Sequence, residues 1–108
     1  MKTLQTEDVL ILVVDDEVDT RDGCNRILSR IGYQVRTAAS GDEGLQIVKK
    51  DPVSIVLLDL KMPGADGMMI LEQIREFNAS ILVIVITGFA TVEPVRTHAL
   101  VCTEMSIL

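Results

Sequence analysis

The chain has 108 residues, 48% hydrophobic and 24% charged, enough for one packed domain and too apolar for a disordered segment. Ten Lys and Arg against 16 Asp and Glu leave a formal charge of −6, which argues against direct nucleic-acid binding, since that calls for a basic face. With no Trp, one Tyr and two Phe, the interior has to be filled by Val, Ile, Leu and Met.

Val9 to Val14 is an unbroken apolar run rich in β-branched residues, as expected of a parallel strand covered on both faces. It is too short for a signal-peptide core or a membrane span, so the expectation is a cytoplasmic protein with no membrane association. Cys24, Ile27, Leu28 and Ile31 then recur at helical spacing, and Gly32 is placed to end that helix. Tyr33 to Ala38 reads as a second strand. Ser40 with Glu43 forms a capping-box pattern that opens a helix to about Lys50, with Leu45 and Val48 inward.

Pro52 closes that helix, and Ser54 to Asp59 forms a third strand. Asp66 is placed to cap a third helix whose inward face carries Ile70, Leu71, Ile74 and Phe77. Ile81 to Ile86 is a fourth buried strand ending at Thr87-Gly88. Beyond it, Val92, Val95, Ala99, Cys102 and Met105 keep helical spacing, so residues 94–108 are expected to form a last helix. No repeat, low-complexity segment or linker divides residues 1–108, and Cys24 and Cys102 match no metal-ligand spacing, reading as two reduced thiols.

The order βαβαβαβα implies an α/β, doubly wound parallel sheet with right-handed crossovers and helices on both faces. Ligands on such sheets bind beyond the carboxyl ends of the strands, where the strand order switches. Here those ends are Asp15-Asp16-Glu17, Asp59 and Thr87-Gly88. Close carboxylates repel and would partly protonate unless a cation offset them. Mg²⁺ suits the site, being a hard ion held by a few carboxylates while accepting phosphate oxygens. A carboxylate beside it can act as nucleophile toward a phosphoryl donor, and a nearby hydroxyl can bond a phosphoryl oxygen. Asp59 stands alone at a central strand end and is assigned the nucleophile; the adjacent Asp15 and Asp16 are assigned the metal. Against this stands the plainer reading that Asp15 only caps the first helix. Glu17 suits the helix dipole, His98 reads as a surface residue, and Met62, Met68 and Met69 read as loop and core packing.

VVDDE at 13–17, LLDLKMPGADG at 57–67 and VIVITGFATVE at 83–93 together resemble the receiver domain of two-component response regulators, over about residues 8–93. The resemblance implies a flavodoxin-like fold with strand order 2-1-3-4-5. It implies that Asp59 is the phosphoacceptor, that Asp15 and Asp16 bind Mg²⁺ together with the backbone carbonyl of Lys61, and that Thr87 contacts the phosphoryl group. Met62, Pro63 and Gly64 match the loop after the acceptor. The implied partner is a sensor histidine kinase, and the implied activity is self-phosphorylation rather than turnover of a separate substrate. A phosphatase of the haloacid dehalogenase type also forms an aspartyl phosphate, but it carries Asp-x-Asp after its first strand, whereas Asp15 and Asp16 are adjacent.

The family's fifth strand, its Lys, the aromatic before it and a fifth helix are not evident. Val95 to Leu108 contains no Lys, and the last Phe is Phe89. The reading is therefore a receiver truncated to βαβαβαβα, with a divergent C-terminal helix over 94–108. An open edge on the fourth strand and an apolar patch beside the first helix would follow, and such surfaces invite a homodimer or a domain-swapped oligomer. The competing expectation is a receiver-like scaffold or dimerisation module that no longer switches.

Overall fold

The computed structural model describes residues 8–59, 67–87, 94–95 and 99–103, and from residue 87 onward the backbone alone. The elements are β1 (Leu10–Val14), α1 (Val18–Ile31), β2 (Gln34–Ala38), α2 (Gly41–Lys50), β3 (Ile55–Asp59), α3 (Gly67–Phe77), β4 (Leu82–Thr87), β5 (Pro94–Val95) and β6 (Ala99–Thr103). They form one sheet in the order β2-β1-β3-β4-β6-β5. All pairings are parallel except β5 with β6.

The continuous apolar runs became central strands because both faces are covered. All five residues of β1 are buried, and their side chains alternate between two cores. Leu10, Leu12 and Val14 join Val56, Leu58, Val83 and Val85 under Val48 of α2 and Ile70, Leu71 and Ile74 of α3. Ile11 and Val13 join Leu57 and Cys24 of α1 on the opposite face, with Leu28, Ile55, Ile84 and Ile86 only partly covered.

The helix signals act as local chemistry dictates. Gly32 ends α1 at φ 116°, a left-handed conformation that costs glycine nothing, and its N–H is bonded to α1 carbonyls. Ser40 caps α2 by accepting the Glu43 N–H at 3.2 Å. The Glu43 carboxylate in turn accepts the Ala39 N–H at 2.7 Å, one residue earlier than the usual reciprocal bond.

Three expectations are corrected. Ile27 and Ile31, at 59% and 57% exposure, lie off the buried face of α1, which packs chiefly on β1 and β2 and buries only Cys24 fully. Phe77, at the last turn of α3, is 49% exposed instead of inward. The third concerns the chain end, where the expected helix over 94–108 gives way to β5 and β6. β6 pairs with β4 from Val83↔Ala99 to Thr87↔Thr103, so a strand fills the place beyond β4 and closes its edge. Ala99-Leu100-Val101-Cys102-Thr103 fits a helix by spacing, but short apolar runs fit strands equally well, and an unpaired β4 ladder decides between them. The doubly wound α/β class is unaffected. The expected Asp66 cap lies outside the described residues.

Two helical glycines differ in what surrounds them. A Cβ at Gly44 would come within 2.8 Å of Val14 Cγ2, whereas at Gly23 it would meet nothing within 4 Å. Gly23→Ala should therefore stabilise the protein by about 0.5–1 kcal/mol through helix propensity. Gly44→Ala should forfeit that gain by pushing α2 off β1. Urea unfolding midpoints of the two variants check this, with the Gly23 variant expected above wild type and the Gly44 variant at or below it.

Candidate functional site

Position 15 follows directly on the buried β1 strand, and its surroundings hold it in place. The Asp15 N–H donates to the Ala38 carbonyl at 3.1 Å, extending the β1–β2 ladder by one residue. One carboxylate oxygen, Oδ1, accepts the Glu17 N–H at 2.9 Å, a side-chain turn that Asp favours. The Asp15 carbonyl accepts Arg21 Nη1 at 2.8 Å. Glu17, with φ −90° and ψ 120°, is the residue that caps α1, and its own side chain makes no capping bond. Asp15 thus shapes the start of α1 without being its cap.

β1 and β3 run in parallel with Val14 opposite Leu58, which brings Asp15 level with Asp59. One carboxylate oxygen from each of Asp15, Asp16 and Asp59 lies within 4.8 Å of the others. Asp15 is buried at 8% exposure, Asp16 is exposed and Asp59 is intermediate. Burial raises the Asp15 pKa above the ordinary carboxylate range; the Glu17 N–H opposes that rise, while the charges of Asp59, Asp16 and Glu17 add to it. The donor set is all carboxylate oxygen, which suits a hard divalent cation such as Mg²⁺.

The structure therefore brings together the three carboxylates singled out in the sequence. It ends β4 at Thr87, one residue past the Ile86 that pairs with Asp59. The Lys61 carbonyl, the Met62-Pro63-Gly64 loop and the Thr87 side chain lie outside the described residues. Cys24 is a buried free thiol whose pKa is raised by burial and by the Asp15 charge, which keeps it protonated beside the cluster. Arg21 was not singled out from the sequence, although a signal existed. A cation near the start of a helix opposes the dipole and calls for a specific partner.

The comparisons with known proteins point the same way. A family model described as the response regulator receiver domain matches residues 11–108. Sporulation initiation phosphotransferase F of Bacillus subtilis is 37% identical over 86 residues, which cover 80% of this chain and 69% of that protein. The sensor histidine kinase RcsC of Escherichia coli is 37% identical over 87 residues, covering 81% of this chain and 9% of the kinase. Among solved structures, response regulator protein TrrA of Thermotoga maritima in complex with Mg(2+)-BeF has a TM-score of 0.72 at 33% identity, covering 76% of this chain and 71% of that one. With its parallel sheet and its three carboxylates at the strand ends, this chain belongs to the response regulator receiver domain family of two-component signalling.

Proposed function

We propose that residues 1–108 form one receiver domain that accepts a phosphoryl group on Asp59 from the phosphohistidine of a sensor histidine kinase. The observation that carries this is the convergence of Asp15, Asp16 and Asp59 within 4.8 Å of one another. The Asp59 carboxylate oxygen forms a bond to phosphorus as the phosphorus–nitrogen bond of the donor imidazole breaks, and the freed imidazole nitrogen takes up a proton. Asp15, Asp16, Asp59 and the Lys61 carbonyl would hold Mg²⁺, which supplies charge compensation for the transferring group. Thr87 would donate its hydroxyl to a phosphoryl oxygen. The protein is an acceptor catalysing its own modification, not an enzyme with a separate substrate. That TrrA was solved with Mg(2+)-BeF supports the choice of metal.

A formal charge of −6 favours protein partners over nucleic acid. No helix among the described residues is long and apolar enough to cross a membrane, and we place the protein in the cytoplasm with its kinase partner.

A second reading is a scaffold that dimerises without switching, favoured by the partly covered Ile84 and Ile86 on the α1 side of the sheet. A dimer built on the β4 edge is no longer supported, since β6 pairs there. A homodimer or domain-swapped oligomer using the face beside α1 is supported by exposed Ile27 and Ile31 and by half-covered Ile84 and Ile86.

Incubation with acetyl phosphate and Mg²⁺ should add one phosphoryl group by intact mass to wild type and none to Asp59→Asn. Omitting Mg²⁺ or using Asp16→Asn should slow the addition by about tenfold or more. An unlabelled wild type leaves the scaffold reading alone standing.

The Asp15 shift gives a second test. Its folded pKa lies above the unfolded value, so the folded state binds the proton more tightly. That stabilisation is complete below the unfolded value and is lost as pH rises through the folded one. In EDTA, Asp15→Asn should therefore have a higher urea midpoint than wild type at neutral pH, and the difference should vanish in acid. Added Mg²⁺ should stabilise wild type and leave the variant unchanged.

For assembly, sedimentation at tens of micromolar should give a dimer mass, and Ile27→Glu with Ile31→Glu should return it to monomer. A monomeric wild type at that concentration overturns the dimer.

A further inference from the structure

We infer that Arg21 is a positioning residue for the metal-binding carboxylates, holding the turn between β1 and α1 in the shape that presents Asp15 and Asp16 to Asp59. This rests on the Mg²⁺ reading above. Arg21 reaches back six residues to donate Nη1 to the Asp15 carbonyl at 2.8 Å, in a partly buried bond. Its own N–H donates to the Glu17 carbonyl at 3.0 Å. That backbone bond is the first of the helix and any residue at this position would make it, so the side-chain bond to the Asp15 carbonyl is what arginine in particular adds. The Asp15 N–H is fixed by Ala38 and Oδ1 by the Glu17 N–H, so the Arg21 bond is what holds the third polar group of this residue, its carbonyl.

The placement runs against the helix dipole, which disfavours a cation so near the start of α1. A charge-assisted bond to one carbonyl offsets that cost and explains the choice of a guanidinium, whose rigid donors are fixed in direction. Carboxylates that repel one another and are partly desolvated do not hold a common orientation unaided. The cross-brace supplies it from the helix side, as residues behind metal ligands commonly do.

The test uses Arg21→Met, which keeps the stem and removes the donors, and Arg21→Lys, which keeps a charge and a donor. Mg²⁺ affinity is measured by calorimetry, exchange of the Glu17 amide by NMR in metal-free protein, and global stability by urea unfolding. Arg21→Met should bind Mg²⁺ about tenfold more weakly and exchange the Glu17 amide faster, with Arg21→Lys intermediate in both. Should Arg21→Met fail to fold, Arg21→Lys against wild type gives the same comparison. Lower stability with unchanged Mg²⁺ affinity and unchanged Glu17 exchange would mean a merely structural brace and overturns the inference. A wild type that binds no Mg²⁺ overturns the metal reading and this inference with it, whereas wild-type binding matched by both variants overturns the positioning role alone.

Discussion

The register of β1 against β3 is the constraint on which the site depends. With Val14 opposite Leu58, the residues that follow each strand, or end it, are carboxylates side by side. A slip of one residue would separate Asp15 from Asp59, and it would also turn every β1 side chain to the other face of the sheet. Both faces of β1 are buried in differently shaped cores, so the slip is opposed along the whole strand. Packing far below the rim thereby sets a geometry of a few ångströms at the rim.

That geometry is costly to the fold and useful to the chemistry. Asp15 sits at 8% exposure with other acids nearby, an arrangement that raises its pKa and that no solvated surface would impose. The start of α1, with its positive dipole end, sits beside the cluster and offsets part of the repulsion. The remaining repulsion is of the kind that a divalent cation relieves, since an all-carboxylate donor set suits a hard ion. Functional sites characteristically carry such local conflict on an otherwise consistent scaffold.

The parts of the fold legible in the sequence were those whose local pattern and tertiary demand agree. Val9 to Val14, Ser54 to Asp59 and Ile81 to Ile86 are continuous apolar runs because two-sided burial leaves no position for alternation, and each formed its strand within a residue. Ser40, Glu43 and Gly32 act through bonds to their own neighbours, so they too could be read directly. Ile27 and Ile31 could not, since spacing gives a helix its apolar stripe but not how much sheet lies beneath it. Ala99 to Thr103 failed differently: helix and strand both fit the run, and β4, distant in sequence, decided. The carboxylate site was legible because the ends of β1 and β3 in a parallel sheet share one rim, whereas the Arg21 bond is a single contact with no repeating pattern to announce it.

The two sides of the sheet also separate two tasks. The side under α2 and α3 is packed with residues at or near full burial, Leu12, Val56, Leu58, Leu71, Ile74, Val83 and Val85 among them, and offers little room to rearrange. The α1 side keeps Ile55, Ile84 and Ile86 half-covered, and it is the side on which the alternation of β1 and β3 places Asp15 and Asp59. A charge added at Asp59 can shift an equilibrium only through contacts that differ between two states. Those contacts are most cheaply remade where packing is incomplete, next to β4 and the β6 strand that continues its ladder through Thr87↔Thr103. The tightly packed side holds the strands in place, and the less completely packed side is the one from which the Asp15 and Asp59 carboxylates emerge.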